Sequence, residues 1–128
     1  LLDGGKAAQR WDTVDFTEKN RLARKGTLSW TARAPLTVHG VAVWWSARLA
    51  EGVTMSTSPL SSPTHWEQLY LPSLEPIALT SGTTLAIEIS SRSSEVSGTD
   101  IAWSFQVRDA KGRQQLRQAL SLAKGFIP

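Results

Sequence analysis

Hydrophobic and polar residues alternate along several short segments of the chain, a pattern typical of β-strands that bury one face. The clearest run is 101–107, where Ile, Trp, Phe and Val alternate with Ala, Ser and Gln. Further strands are predicted by similar but weaker patterns at 27–33, 41–46, 85–90, Trp11–Thr17 and Trp66–Leu71. No long helical pattern interrupts these runs, so the pattern predicts a chain built mainly from short strands.

Turn-forming residues separate the predicted strands at regular intervals. The clusters are Arg33–Pro35, Glu51–Gly52, Ser58–Pro63, Ser81–Gly82 and the serine-rich Ser91–Thr99. Proline cannot donate to a strand ladder, so it marks strand ends and edges. Short strands with this punctuation predict an all-β fold, a small barrel or barrel-like sandwich of about eight to ten antiparallel strands.

The domain organisation follows from the same pattern. We predict a linker at 1–9, one barrel domain at 10–110 and a C-terminal tail at 111–128. In the tail, Leu116, Ala119, Leu120 and Ala123 fit helical spacing, while the Asp109–Gly112 segment resembles a turn between strands. The tail is therefore either a helix or a last strand. The first residues carry no Met and no apolar signal core, so we expect Leu1 to be a fragment boundary.

Composition excludes several classes of site. The 128 residues suit a single domain, with 41% hydrophobic residues and a net charge of +3. There is no cysteine, which excludes disulfides, thiolate zinc sites and cysteine nucleophiles. The two histidines, His39 and His65, have no third ligand near them in sequence, so no metal site is predicted. No apolar stretch is long enough to span a membrane, and we expect a cytoplasmic protein.

The most informative segment is Met55–Gln68, which reads Met-Ser-Thr-Ser-Pro-Leu-Ser-Ser-Pro-Thr-His-Trp-Glu-Gln. Pro59 and Pro63 stiffen a connection of otherwise mobile serines. Thr64, His65 and Trp66 follow at the start of a predicted strand. A rigid barrel could therefore present an imidazole and an indole toward a neighbouring domain.

This segment resembles the serine-threonine-serine-proline run and the threonine-histidine-tryptophan loop of protein arginine methyltransferase barrels. The family pattern continues with a strand, a proline and a glycine-led turn, which Leu69–Leu71, Pro76 and Gly82–Leu85 repeat in order. The resemblance covers about Trp11 to Asp109. It implies that the chain is the C-terminal, substrate-binding barrel of an S-adenosylmethionine-dependent methyltransferase.

The resemblance also implies roles for individual residues. His65 corresponds to a histidine that hydrogen-bonds an acidic residue of the catalytic domain, and Trp66 to an aromatic wall of the pocket for the substrate guanidinium. Thr64 completes this substrate-binding group. The implied partners are an upstream S-adenosylmethionine-binding domain of the same protein and a protein or peptide substrate, with homodimerisation of the full-length protein as a further implication. Neither a membrane nor nucleic acid is an expected partner.

Several family features are missing or altered. Glu67 stands where members often carry lysine, and Thr83 where they carry aspartate. The glycine-rich donor loop, the paired catalytic glutamates and the helical dimerisation arm have no counterpart; the isolated Glu51 and Glu75 are expected to be solvated. We therefore expect no catalytic residue and no bound S-adenosylmethionine in this chain, which alone should be inactive.

Two other functions remain open at this point. The six tryptophans could make a stand-alone barrel that binds carbohydrate or single-stranded nucleic acid by stacking, helped by basic residues at 19–25. That interpretation requires several tryptophans on one open face. Of Trp44 and Trp45, one is expected in the core and the other at a rim or domain contact. A purely structural domain would instead show a large apolar patch without a polar cleft.

Overall fold

The computed structural model describes residues 1–124 and confirms the all-β prediction. Eight antiparallel strands make up the described fold, joined by short turns except for the longer connection at residues 57–68. They are β1 (Ala23–Thr31), β2 (Leu36–Val43), β3 (Ser46–Ala50), β4 (Val53–Ser56), β5 (Leu69–Leu79), β6 (Thr84–Ser94), β7 (Gly98–Arg108) and β8 (Gln114–Ser121). The helical pieces among the described residues are two 3₁₀ turns, Leu2–Gly5 and Leu122–Lys124, and neither could cross a membrane.

A four-stranded sheet in the order β1-β6-β7-β8 carries most of the core. Its inner face is built from cross-strand rows in which Ile87 lies opposite Phe105, and Ile89 opposite Trp103. Phe105 is fully buried. The outer face carries the small and polar residues that alternate with them, as the sequence pattern predicted. The buried core consists of Ala32, Leu71, Ile77, Leu79, Leu85, Ile87, Ile89, Trp103, Phe105 and Val107.

The second layer is the β2–β5 pair, which is joined to the sheet through side chains. Val38 pairs with Ile77 but Gly40 pairs with Pro72, so residues 73–76 of β5 bulge out of the ladder. The amide oxygen of Gln118, on the inner face of β8, accepts the backbone N–H of Leu74 at 2.8 Å. The Trp103 indole likewise donates to Pro72 O at 2.7 Å. These bonds satisfy backbone groups that the bulge leaves unpaired.

The predicted strand at Trp11–Thr17 is wrong. This segment lies against β1 through side chains rather than through a backbone ladder. The Trp11 indole fills the space left by the missing side chain of Gly26 and donates to Ile89 O at 3.1 Å. The Asp15 carboxylate then accepts the hydroxyl of Thr17 at 2.7 Å, which is the main cause that lowers the pKa of Asp15. It also accepts the backbone N–H of Thr17 at 2.9 Å, which closes a local turn and lowers the same pKa further.

Residues 1–9, the predicted linker, also contact the barrel. The Trp30 indole donates to Ala7 O at 2.6 Å, and the Gln9 amide donates to Ser29 O at 2.7 Å on the free edge of β1. Gly5 lies against the side chain of Leu60, with no room for a Cβ between them. The first residues are therefore held beside β1 and the segment that follows β4.

The tail forms a last strand. Of the two alternatives for Gln114–Ala123, the structure shows β8 followed by the 3₁₀ turn; residues 125–128 of the predicted tail lie outside the described residues. The preceding turn is closed by the Gly112 N–H, which donates to Asp109 O at 2.9 Å. The backbone N–H of Arg113 also donates to the Asp109 carboxylate, and this bond is the main cause that lowers the pKa of Asp109.

Candidate functional site

The candidate site lies on the β4–β5 connection, residues 57–68. Its first half is a series of tight turns held by serine hydroxyls. Ser56 Oγ accepts the Ser58 N–H at 3.2 Å, and Ser58 Oγ accepts the Leu60 N–H at 3.2 Å. Pro59 and Pro63 have fixed φ angles within this series. The connection is therefore stiffened by local hydrogen bonds as well as by its prolines.

Thr57 ties this connection to the link between β2 and β3. It is buried, with 2% exposure. Its N–H donates to Trp45 O at 2.9 Å, and its hydroxyl accepts the Trp45 N–H at 3.2 Å. Its carbonyl accepts the side-chain amide of Gln68 at 2.7 Å. Thr57 thus links Trp45 with Gln68, the last residue of the β4–β5 connection.

The three predicted site residues stand together near the end of the connection. Thr64 is half-buried, and its hydroxyl donates to Trp66 O at 2.9 Å, which closes a small turn around His65. His65 and Trp66 are exposed, Trp66 by 53%. Their rings lie edge to face, with centroids 6.3 Å apart. Both rings point outward from the barrel rather than into its core.

Trp45 supports the Trp66 ring. The two indoles meet edge to face, with centroids 5.9 Å apart and planes at 63°, an arrangement that stabilises aromatic pairs. Trp45 is 41% exposed and Trp44 is half-buried. The expectation that one of the two lies in the core is therefore wrong, because β2 ends at Val43 and both tryptophans lie in the short link to β3.

The remaining tryptophans belong to the core or its edge. The indole N–H groups of Trp11, Trp30 and Trp103 all donate to backbone carbonyls. The open aromatic surface on the described residues thus comprises Trp45 and Trp66, with Tyr70 and Phe16 exposed elsewhere.

Polar residues near the connection form a small open cleft. It has a volume of about 270 Å³ and is lined by residues of the first half of the connection, by Thr64 and by Gln68. The lining contains hydroxyl and amide groups, and no charged side chain contributes to it. Within residues 1–124, no group of three histidine, aspartate or glutamate side chains comes together as metal ligands.

Two of the four basic residues at 19–25 form ion pairs with acidic side chains. Arg24 pairs with Asp12, and Lys25 pairs with Glu88 at 3.0 Å. These residues lie at the start of β1, where the ion pairs attach the N-terminal segment and bridge β1 to β6. They do not line the cleft of the β4–β5 connection.

The glycines with positive φ between β3 and β8 lie at connections between strands. Gly52, Gly82, Gly98 and Gly112 adopt positive φ in turns that join consecutive strands. A nucleotide-type cradle instead needs a glycine-rich turn between a strand and a helix, whose N-terminus faces the phosphate or ribose.

The all-β fold and the exposed Thr-His-Trp loop are those of the C-terminal domain of an arginine methyltransferase, and comparison with known proteins agrees. The sequence profile of the arginine methyltransferase oligomerization subdomain matches residues 9–110. The chain therefore belongs to this family. An arginine N(omega)-methyltransferase of Streptomyces achromogenes subsp. streptozoticus is 34% identical over 62 residues. That match covers 48% of this chain and 17% of the Streptomyces protein.

Two residues of the site were not singled out by the sequence. Thr57 was quoted as part of the serine-proline motif, but nothing in the motif indicates that its side chain is buried against Trp45. Gln68 sits at the end of the same motif and bonds back across it. The only signal for Trp45 was its place in the predicted strand at 41–46, with either Trp44 or Trp45 expected at a rim or domain contact.

Proposed function

We propose that this chain forms the substrate side of an S-adenosylmethionine-dependent methyltransferase that modifies arginine side chains of proteins or peptides. The methyl donor would be bound by a separate upstream domain. Thr64, His65 and Trp66 would contact the substrate or shape its pocket, and the chain would supply no catalytic acid or base. S-adenosylmethionine carries an electrophilic methyl group, so the protein's main task is to align the accepting nitrogen with it.

The observation that carries this proposal is the outward-facing Thr64–Trp66 loop. Trp66 exposes about half of its surface, meets Trp45 edge to face and ends a turn closed by the hydroxyl of Thr64. A flat indole face of this kind suits the planar guanidinium of arginine, which stacks on aromatic rings. The exposed imidazole of His65 stands next to it and can reach an acidic group on a neighbouring domain.

The second candidate, a stand-alone module that stacks on sugars or bases, has less support. It needs several tryptophans on one face with basic residues nearby. Trp45 and Trp66 meet edge to face, so they do not present two parallel stacking platforms. Two of the basic residues that would have assisted binding are paired with Asp12 and Glu88.

Calorimetry with S-adenosylmethionine tests the proposal that a separate upstream domain binds the methyl donor. Titration into this chain should give no saturable heat, because its glycines with positive φ after β3 join strand to strand rather than strand to helix. Titration into the natural full-length protein should give saturable binding, with an affinity on the order of micromolar. Micromolar binding by the chain alone would show that the donor site has been assigned to the wrong part of the protein.

A further inference from the structure

Glu67 is the one residue with a formal charge on the β4–β5 connection, residues 57–68. Its side chain is exposed. It takes part in no ion pair within residues 1–124, whereas Asp12, Glu88 and Asp109 each pair with a basic side chain. A negative charge that the described part of the chain does not neutralise therefore lies directly after Trp66.

The backbone on both sides of Glu67 is held in place. On one side, the hydroxyl of Thr64 donates to Trp66 O at 2.9 Å. On the other side, the amide of Gln68 donates to Thr57 O at 2.7 Å. Because neighbouring Cα atoms are about 3.8 Å apart, the carboxylate stays on the order of 10 Å from the Trp66 indole, which is about one Debye length at 0.1 M salt.

The polar cleft beside this carboxylate is neutral. Its lining consists of hydroxyl and amide groups together with Pro59 and Pro63. A carboxylate in such surroundings attracts cations and repels anions that come within about a Debye length. A ligand that binds against Trp66 therefore meets the charge of Glu67 as well.

The target arginine cannot by itself make Glu67 selective. Its guanidinium is positively charged in every arginine substrate, so an interaction of that group with Glu67 would favour all such substrates equally. A second charge on the substrate, close to the arginine, does differ between substrates. Glu67 can therefore distinguish one arginine substrate from another only through the residues that flank the arginine.

We infer that Glu67 makes the enzyme prefer arginines flanked by positive charge over arginines flanked by negative charge. The inference rests on the proposed function, and it makes Glu67 a specificity-determining residue rather than a catalytic one. An exposed pair of opposite charges changes a binding constant by about two- to fivefold. The effect should fall on KM rather than on kcat, because the charge acts on substrate binding and not on the transfer of the methyl group.

Three peptides that carry lysine, glutamine or glutamate on both sides of one arginine test the inference in the natural full-length protein. Steady-state kinetics at saturating S-adenosylmethionine gives kcat/KM for each peptide, and the lysine-to-glutamate ratio measures the charge preference. Glu67→Gln removes the charge at nearly constant shape, and Glu67→Lys reverses it. Glu75→Lys is the matched control, since it makes the same change of net charge at an exposed position roughly 20 Å further along β5.

We expect Glu67→Gln to lower the lysine-to-glutamate ratio at least about fourfold, since both an attraction and a repulsion are lost. Glu67→Lys should lower it by a further factor of similar size, and 1 M salt should remove most of the difference between variants. Glu75→Lys should leave the ratio within about twofold of the wild type. The circular dichroism spectrum checks folding, and Glu67→Gln still decides the matter if Glu67→Lys does not fold.

An unchanged ratio in the Glu67 variants would overturn the inference. An equal loss of kcat/KM with all three peptides would also overturn it, because Glu67 would then act on the target arginine or on the shape of the loop. An equal change of the ratio in Glu75→Lys would do the same, because the effect would then come from net charge. If the wild type methylates none of the peptides, the proposed function has failed; if it methylates them with a ratio that Glu67 does not affect, the inference alone has failed.

Discussion

At the scale of single residues, Thr57 has the greatest effect on the shape of the candidate site. It is buried between the β2–β3 link and the β4–β5 connection, and its hydroxyl is the acceptor for the Trp45 N–H. A buried donor that loses its acceptor costs about 1–3 kcal/mol. The position of Trp45, and through it the support of Trp66, therefore depends on one hydroxyl group.

Substitution of Thr57 should release the Trp45 amide. In Thr57→Val the N–H of Trp45 loses its acceptor, and we expect its hydrogen exchange, measured by NMR, to accelerate about tenfold or more. Thr57→Ser keeps the hydroxyl and should leave that exchange within about twofold of the wild type. Unchanged exchange of the Trp45 amide in Thr57→Val would show that this hydroxyl does not hold the turn.

At the scale of elements, alternation predicted the strands whose two faces differ clearly. The runs around Leu28, Ile87 and Phe105 became β1, β6 and β7 because one side of that sheet is buried. Alternation at Trp11–Thr17 was misleading, because Trp11 packs into the gap at Gly26 without forming a ladder. The sequence could not distinguish helix from strand in the tail, since the partner of Gln118 is a bulge more than 40 residues away.

The features of the site that depend on local interactions could be predicted from the sequence, and those that depend on distant parts of the chain could not. The serines and prolines of the connection have local effects, so their pattern predicted a stiff loop that exposes His65 and Trp66. The contact of Trp45 with Trp66 depends on the β3–β4 hairpin returning the chain to its starting point, which no local pattern encodes. The buried position of Thr57 beside Trp45 depends on the same β3–β4 hairpin.

The packing of the N-terminal segment gives a prediction at this scale. A Cβ at Gly26 would lie 2.7 Å from Trp11 Cδ1, so Gly26→Ala should push the indole away from Ile89 O. We expect the free energy of unfolding in urea to fall by about 1–3 kcal/mol. In a Trp11→Ala background the cost of Gly26→Ala should be smaller, because the indole contacts are removed and only the 3.0 Å approach to the backbone O of residue 11 remains. Additive costs would contradict this packing.

At the scale of the whole molecule, the candidate site lies apart from the hydrophobic core that stabilises the fold. The four-stranded sheet and the β2–β5 pair enclose the core. The β3–β4 hairpin and the β4–β5 connection lie outside this core and carry the exposed Trp45, His65 and Trp66. This division agrees with membership in the arginine methyltransferase family, whose profile matches residues 9–110. The domain boundaries at residues 10 and 110 stay a prediction.

Methyl transfer by the natural full-length protein tests the central claim most directly. Steady-state kinetics with S-adenosylmethionine and an arginine-containing peptide would compare the wild type with Trp66→Ala and with Phe16→Ala, an aromatic control that is 88% exposed in the loop before β1. We predict that Trp66→Ala lowers kcat/KM for the peptide at least about tenfold without changing the affinity for S-adenosylmethionine, and that Phe16→Ala leaves both unchanged. Wild-type kcat/KM in Trp66→Ala would contradict the assignment of this loop to the substrate.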